Sequence, residues 1–311
     1  MDTDFYHEPV MLKEVIDWLC ISKNGIYVDG TIGGAGHAYE ILKKTDGFLV
    51  GIDCDDDALR AAEKRLAEFG ARKVLVKANF ADLGKVLDNL QIKKVDGVLL
   101  DMGVSSPQLD QAARGFSFNQ AAPLDMRMDR GLKLSAYDIV NNFAQKELEK
   151  IIRTFGEEKM AGRIARTISQ KRRLSPIETT AELAAIIASV MPAKLRWQKI
   201  HPATRTFQAI RIAVNNELDN IKPAIASAVD VLSRGGRIGI ISFHSLEDRI
   251  VKNEFRALTG ACICPKDVPI CICQREARLK VLTKKALIPG AAEIEANSRS
   301  RSAKLRVAQR V

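Results

Sequence analysis

The sequence predicts an α/β fold into which an all-helical domain is inserted. Over residues 26–101, short apolar runs alternate with segments of helical periodicity, which is typical of a parallel sheet with right-handed crossovers. The alternation stops over residues 113–212, where only helical patterns occur. It resumes with a glycine turn and an apolar run at 235–243. We therefore expect one α/β domain made of residues 1–112 and 213–311, with the helical domain at 113–212 inserted into it.

The apolar runs lack strict polar alternation, as expected for strands that are buried on both faces of a parallel sheet. Strands are predicted at residues 26–29, 48–53, 73–77, 95–101 and 235–243, with short ones near 280–283 and 304–308. Helices of the same domain are predicted at 36–44, 56–69, 82–90 and 246–258. In the insertion, helices are predicted at 135–141, 145–153, 157–171, 179–190 and 205–218. The polar stretch 291–301 is predicted to be a loop.

The composition is typical of a folded protein without a membrane span. Of the 311 residues, 46% are hydrophobic and 28% charged, and no apolar run approaches the roughly 20 residues that cross a bilayer. The acidic start, Met1–Asp4, lacks the basic and apolar regions of a signal peptide, so we expect a cytoplasmic protein. In that compartment, the six cysteines are expected to be thiols or metal ligands and not disulfides.

The net charge of +10 is concentrated in two segments. Residues 146–211 carry fourteen Lys and Arg against six Asp and Glu, and residues 274–311 carry ten against three, so the remainder is net acidic. Two basic segments in an otherwise acidic protein indicate binding to a polyanion such as RNA. Solvated helix faces and a basic tail that bind no polyanion explain the same charge pattern equally well. Candidate phosphate contacts in the insertion are Arg163, Arg166, Lys171, Arg172 and Arg173.

The run Val28–His37 (Val-Asp-Gly-Thr-Ile-Gly-Gly-Ala-Gly-His) joins the first predicted strand to a helix. Glycines at such a turn let the backbone approach a ligand, and N–H groups at the helix start face that ligand. Asp53 ends the next strand, where a carboxylate can accept hydrogen bonds from ribose hydroxyls. Together these features predict a site for a cofactor that contains a nucleoside.

The turn fits a methyl donor better than a dinucleotide. The G-x-G-x-x-G pattern, started at Gly34, requires a third glycine where the chain has Tyr39. Asp29 would repel a pyrophosphate, but it could lie near the positive amine and sulfonium of S-adenosylmethionine. A nicotinamide-dependent oxidoreductase is therefore the weaker alternative, and a turn with a purely structural role is another.

Two further strand ends belong to the same predicted site. Phe80 follows the third strand, where packing against adenine and packing in the core are equally plausible. Asp101 interrupts the apolar fourth strand at its carboxyl end, the edge at which open α/β sheets bind ligands. A functional role is therefore favoured for Asp101.

Four cysteines form two C-x-C pairs in one loop, Cys262 with Cys264 and Cys271 with Cys273. Four thiolates can hold a tetrahedral zinc ion, although C-x₂-C is the more usual spacing. A reduced cysteine loop without metal is the simpler alternative.

Ordered motifs run along almost the whole chain. They are His7–Leu12, Asp29–His37, Asp101–Asp110, Arg114–Phe118, Pro123–Met128, His201–Arg211, Ser242–Arg249 and Arg301–Arg306. These motifs resemble those of the bacterial 16S rRNA cytosine-N4 methyltransferase family, known as RsmH or MraW. The resemblance implies a class I methyltransferase fold. It also implies methyl transfer from S-adenosylmethionine to N4 of a cytidine in the decoding region, cytidine 1402 in standard rRNA numbering.

The resemblance also implies the cofactor contacts and the partner. The implied contacts are Ala35, Gly36, His37, Asp53, Phe80, Asp101 and Gln108. The partner is 16S rRNA, which we expect to be met within the assembled small subunit because the target lies in a structured core. The oligomeric state stays open, a homodimer included. Because an alanine methyl disfavours positive φ, residue 35 is expected not to adopt it.

The exocyclic amine of cytosine needs alignment with the methyl group and an acceptor for one of its hydrogens, but no cysteine nucleophile. Many amino-methyltransferases supply the acceptor from an acid-or-serine–Pro–Pro–aromatic loop, and here Ser105-Ser106-Pro107-Gln108 stands in its place. The catalytic candidates are Asp101, Ser105, Ser106 and His244. Phe116 and Phe118 could stack on an unstacked base, although core packing is the more common use of a phenylalanine.

Two rivals remain beside the oxidoreductase. One is an RNA-binding assembly factor that keeps the fold without catalysis, which intact cofactor-facing residues argue against. The other is a methyltransferase that acts on DNA, which the family resemblance disfavours.

Overall fold

The computed structural model describes residues 9–192, 201–261 and 275–311. The chain divides into two units. The sheet unit comprises Met1–Gly103 and Leu218–Val311, and the helical unit comprises Val104–Glu217. The four cysteines of the C-x-C pairs, and the first two residues of the His7–Leu12 motif, lie outside the described residues.

The sheet unit contains one seven-stranded sheet in the order β3-β2-β1-β4-β5-β7-β6. Its strands are β1 Ile26–Asp29, β2 Phe48–Asp53, β3 Lys73–Lys77, β4 Val95–Asp101, β5 Leu232–Ser242, β6 Leu279–Val281 and β7 Lys304–Arg310. The first five strands are parallel, and β7 runs antiparallel to both β5 and β6. The strand order reverses direction at β1. Because β1, β2 and β4 are parallel, their carboxyl ends meet at one edge of the sheet.

Helices cover both faces of this sheet. They are α1 Leu12–Leu19, α2 Gly36–Lys44, α3 Asp56–Arg65, α4 Leu83–Asn89, α11 Ile221–Val231, α12 Ser245–Ala257 and α13 Ala291–Ala296. Val28 and Val98 pack on one face with α4, α11 and α12. Tyr27 and Leu99 pack on the other face with α1, α2 and α3. Both faces of the central strands are therefore buried, which explains why these strands lack polar alternation.

The helical unit has its own apolar core. Its helices are α5 Ser106–Asp110, α6 Ala136–Asn142, α7 Gln145–Gly156, α8 Ala161–Lys171, α9 Thr180–Val190 and α10 Thr204–Asn215. Within its described residues, the β-type pairing is a single bridge between Pro123 and Thr179. The unit starts at Val104 and ends at Glu217, where the sequence predicted 113 and 212.

Three segments differ from the prediction for identifiable reasons. Helix α1 was not predicted, because it begins after Met11, which is left-handed and provides no side-chain cap. The helix predicted to reach 218 ends at Asn215, because Asn216 is left-handed (φ 51°), and α11 follows it unpredicted. The loop prediction for 291–301 was wrong: α13 and a 3₁₀ helix at Ser298–Ser302 lie there, the latter capped by the Asn297 side chain.

In the parts of the chain that the structure describes, no helix combines the length and the apolarity needed to span a membrane.

Candidate functional site

Three strands that meet at the same edge of the sheet end in aspartate: β1 in Asp29, β2 in Asp53 and β4 in Asp101. Asp29 is only 1% exposed, and its Oδ1 accepts a hydrogen bond from Thr31 N–H at 3.2 Å. Burial, and to a smaller extent the charge of Asp53, raises the pKa of Asp29 to about 7. Asp29 and Asp53 therefore form an acidic surface at this edge, which we call the acidic floor. Their carboxylates favour binding of a cation.

The glycine turn is tied to the end of β2 through Asp53. Its Oδ2 accepts a hydrogen bond from Gly33 N–H and its Oδ1 accepts one from Asp55 N–H, both at 2.9 Å. Burial raises the pKa of Asp53 to about 6, although these two N–H groups favour the ionised form. Because a carboxylate offers about four lone-pair sites, Asp53 retains acceptor capacity for the hydroxyls of a ribose.

The backbone of the turn is close-packed. A Cβ atom at Gly30 would lie 2.4 Å from Leu100 Cδ2, so a side chain there would have to displace the side chain of Leu100. Ala35 adopts a left-handed conformation (φ 58°) and is fully buried. The expectation that residue 35 avoids positive φ was therefore wrong. A left-handed alanine costs about 1–2 kcal/mol, and packing of its methyl group in the core, worth about 0.8 kcal/mol, offsets part of that cost.

Asp101 lies at the centre of the edge. Its backbone N–H donates to Thr31 Oγ1 at 2.6 Å, which joins β4 to the glycine turn. Its Oδ1 is buried and has no hydrogen-bond partner among the described residues. Burial, followed by the nearby charges of Asp29 and Glu247, raises the pKa of Asp101 well above its usual range. A buried acceptor without a partner is rare in a folded protein, and it indicates that a ligand group belongs there.

Two histidines are held near this edge. His37, on α2, is 5% exposed, and its Nε2 lies 2.9 Å from the carbonyl oxygen of Val10. Its Nδ1 lies 3.9 Å from Asp101 Oδ2. His244 follows β5, and its Nε2 lies 3.1 Å from Glu247 Oε1. The two histidines therefore border the acidic floor from α2 and from the start of α12.

Glu247 is a residue of the site to which the sequence reasoning assigned no role. It is 1% exposed, and its Oε2 accepts hydrogen bonds from Phe243 N–H at 2.8 Å and from His244 N–H at 3.3 Å. It thus fixes the backbone of the turn that follows β5, and its Oε1 lies beside the imidazole of His244. The signal was available, because an acidic residue three positions after a helix cap is the second half of a capping box.

Phe80 begins a short 3₁₀ helix after β3, and its side chain packs partly against the core of the sheet unit. Its Cβ lies 3.5 Å from the point at which a side chain on Gly30 would begin. The structure therefore gives Phe80 a packing role beside the glycine turn, and its contact with adenine stays a prediction.

The remaining candidates lie in the helical unit. Ser105 and Gln108 form a capping box at the start of α5: Gln108 Oε1 accepts from Ser105 N–H at 3.0 Å, and Ser105 Oγ accepts from Gln108 N–H at 3.4 Å. Ser106 is buried within the first turn. Phe116 is buried in the core of this unit, and the Phe118 ring packs against His201 and Phe207.

The residues of the sheet edge fit S-adenosylmethionine on their own chemistry. That molecule carries a cationic sulfonium and an ammonium. The edge offers the acidic side chains of Asp29 and Asp53, and the buried Asp101 Oδ1, which has no partner in the part of the chain that the structure describes. Burial of several carboxyl groups beside one another is unfavourable unless a cation or protons neutralise them.

The strand order, with an antiparallel β7 between β5 and β6, together with the acidic strand ends, defines a class I S-adenosylmethionine-dependent methyltransferase fold. The chain belongs to the MraW methylase family, whose model matches residues 4–311. It is 59% identical to the ribosomal RNA small subunit methyltransferase H of Syntrophus aciditrophicus (strain SB) over 98% of both chains. It is 51% identical to the protein of that name from Clostridioides difficile (strain 630), over 99% of this chain and all of the relative.

Asp29→Asn is expected to stabilise the ligand-free protein at alkaline pH. The pKa of Asp29 is higher in the folded state than in the unfolded chain, so its ionisation opposes folding as the pH rises from about 4 through about 7. Asparagine retains an oxygen for the Thr31 N–H. Urea unfolding should show a gain that is larger at pH 8 than at pH 5 by about 2–3 kcal/mol. Asp88→Asn, at an exposed position on α4, is the control; an equal gain at both pH values would contradict the argument.

Proposed function

We propose that this protein transfers a methyl group from S-adenosylmethionine to N4 of a cytidine in the decoding region of small-subunit rRNA. The family and the fold support methyl transfer, and the relatives named above act on ribosomal RNA of the small subunit. The observation that carries the choice of an amine as the target is the buried Asp101 Oδ1, an acceptor held at the carboxyl edge.

The cofactor-binding residues follow from the chemistry of the edge. When bound, S-adenosylmethionine supplies a methyl group on a positively charged sulfur. Asp29 provides negative charge near that sulfur, and Asp53 accepts hydrogen bonds from the ribose. The turn residues Ala35, Gly36 and His37, at the start of α2, bring the backbone to the ligand. Phe80 and Gln108 complete the predicted set.

Asp101 has the role of proton acceptor in this proposal. As the amine nitrogen bonds to the methyl carbon and the carbon–sulfur bond breaks, one N4 proton must leave. The Asp101 carboxylate accepts that proton on Oδ1. A base of raised pKa is suited to this step at neutral pH, because its affinity for a proton is closer to that of the reacting amine. The hydroxyls of Ser105 and Ser106, or a carbonyl there, are the alternative acceptors.

Recognition of rRNA is assigned to the helical unit. Arg163, Arg166 and Lys171 are exposed on α8, and Arg173 is exposed just beyond its end. Arg172 does not belong to this set, because its guanidinium donates hydrogen bonds to the carbonyl oxygens of Val140 and Phe143. Its inclusion among the candidate phosphate contacts is therefore corrected: Arg172 joins α8 to the end of α6.

Neutralising the three cations of α8 (Arg163→Gln, Arg166→Gln and Lys171→Gln together) is expected to weaken rRNA binding and to flatten its salt dependence. Each lost phosphate contact removes about 0.7–0.9 from the slope of log K against log salt. The slope should therefore fall by about 2–3 in filter-binding assays across a salt series. Cofactor affinity should not change.

The matched control neutralises Lys44, Lys64 and Lys93, which are exposed cations of the sheet unit. It changes the net charge by the same amount. If both triple variants lose affinity equally, a general charge effect explains the loss, and the assignment of rRNA recognition to α8 is wrong.

The function itself is tested with purified protein, a labelled methyl donor, and small subunits from a strain that lacks the family's gene. Nuclease digestion and mass spectrometry of the rRNA should yield N4-methylcytidine at one site, cytidine 1402. Protein-free 16S rRNA serves as the second substrate and tests whether assembly is required. Binding of rRNA without any methyl transfer would instead identify an assembly factor.

The zinc prediction for Cys262, Cys264, Cys271 and Cys273 concerns residues outside the described part of the chain. It stays a prediction. Metal analysis of protein purified without a histidine tag decides between a zinc site and a reduced loop.

A further inference from the structure

We propose that His37 is a positioning residue for Asp101, and that its protonated imidazole forms a charge pair with the Asp101 carboxylate across the 3.9 Å between His37 Nδ1 and Asp101 Oδ2. The inference deepens the proposed function, on which its catalytic meaning rests. The pairing itself is a property of the ligand-free protein, so it can be tested without methyl transfer.

The hydrogen bond at the far side of the imidazole fixes which nitrogen faces Asp101. A carbonyl oxygen can only accept, so the contact of 2.9 Å with Val10 requires a proton on His37 Nε2. If the ring is neutral, Nδ1 then carries a lone pair. That lone pair lies 3.9 Å from Asp101 Oδ2, and two acceptors face one another unless one of them is protonated.

The neighbouring acidic groups favour the binding of one proton by the pair of His37 and Asp101. Asp101 is faced by Asp29 from β1 and by Glu247 from α12, both of which disfavour its negative charge. Asp53 adds its charge to Asp29 from the end of β2. With two carboxyl groups beside it, Asp101 is held either as a carboxylic acid beside a neutral imidazole or as a carboxylate beside an imidazolium. Both forms contain one proton and no net charge.

The form in which Asp101 is a carboxylate and His37 an imidazolium is the one that can accept a proton from the target amine. An imidazolium at His37 stabilises the Asp101 carboxylate at a place where burial alone would protonate it. It engages Oδ2 and leaves Oδ1, the oxygen without a partner among the described residues, to receive the proton of the amine. His37 therefore orients Asp101 and sets its protonation state without touching the base.

Nitrogen-15 NMR of the ligand-free protein tests this pairing directly. The chain has four histidines, so the signal of His37 can be assigned by its loss in His37→Gln. We expect Nε2 to be protonated at every pH, and Nδ1 to titrate. In Asp101→Asn the Nδ1 titration should move to lower pH by about one unit or more, because the carboxylate no longer stabilises the imidazolium.

Asp88→Asn, which removes an exposed carboxylate on α4, is the matched control and should leave the titration unchanged. The pairing is overturned if the neutral His37 ring carries its proton on Nδ1 only. It is also overturned if the His37 titration is the same in Asp101→Asn as in the wild type, even if the enzyme methylates rRNA. Conversely, a shifted titration in a protein that never methylates cytidine would keep the pairing and refute the proposed function.

A kinetic readout separates positioning from structural support. In His37→Gln the acidic limb of the pH–rate profile should move to higher pH, because Asp101 then holds its proton more tightly. A merely structural role would lower the rate equally at every pH, and that result would also overturn the proposal.

Discussion

Asp101→Asn is expected to lower the rate of methyl transfer by about 10²–10⁴-fold, the usual range for the loss of a proton acceptor. Asparagine has the shape of aspartate and can still accept a hydrogen bond, but it cannot take a proton at neutral pH. Cofactor affinity should fall by less than about tenfold, since Asp29 and Asp53 still supply negative charge. Single-turnover methylation and equilibrium binding of the methyl donor measure the two effects separately.

Turnover at the wild-type rate in Asp101→Asn would remove Asp101 from the mechanism. Attention would then pass to Ser105 and Ser106, which lie at the start of α5. Ser106→Ala is the informative partner variant, because Ser105 also caps the helix and its loss would disturb the backbone there. A loss of donor binding equal to the loss of rate would mean that Asp101 acts in binding only.

The affinity for S-adenosylmethionine is expected to rise by about 10³-fold between pH 5 and pH 8. The pKa of Asp29 is raised to about 7 and that of Asp53 to about 6, and both side chains are needed in ionised form beside a cation or a ribose. Below these values the donor must displace protons before it binds. Calorimetry in buffers of different ionisation enthalpy should therefore detect proton release on binding near pH 6.

Two controls make this prediction specific. Asp29→Asn should remove the part of the pH dependence centred near pH 7 and leave the part that belongs to Asp53. S-adenosylhomocysteine has a neutral sulfur, so its affinity should depend less on pH than that of the methyl donor. An affinity that falls or stays level as the pH rises would contradict the acidic floor as the cation-binding element.

The sheet edge could be predicted because its signals are local. The strands that end in Asp29, Asp53 and Asp101 are the runs predicted from apolar patterning, and their bounds in the structure are the same. In a parallel sheet the carboxyl ends meet at one edge, so the aspartates could be grouped before any coordinates were known. The predicted class I fold and the predicted methyltransferase family were both confirmed, the fold by the strand order and the family by the match to the MraW methylase model.

What could not be predicted depends on contacts between distant residues. The tautomer of His37 is set by a carbonyl 27 residues earlier in the chain, and no local pattern encodes that contact. Arg172 looks like its neighbours in the basic segment, but its guanidinium donates to the carbonyl oxygens of Val140 and Phe143 at the end of α6. Ala35 was expected to avoid positive φ, but its φ is 58°. The tertiary packing around this buried residue overrides the local conformational preference of alanine.

The division of the sheet unit has a kinetic consequence. Strands β4 and β5 are neighbours in the sheet, yet 130 residues separate the end of one from the start of the other. Pairings of such high contact order form slowly, because the entropy of closing the loop must be overcome before any contact is gained. The helical unit has its own core and lies wholly within that loop. If it folds first, it shortens the effective loop, and the catalytic edge then assembles faster than it would across an unfolded insertion.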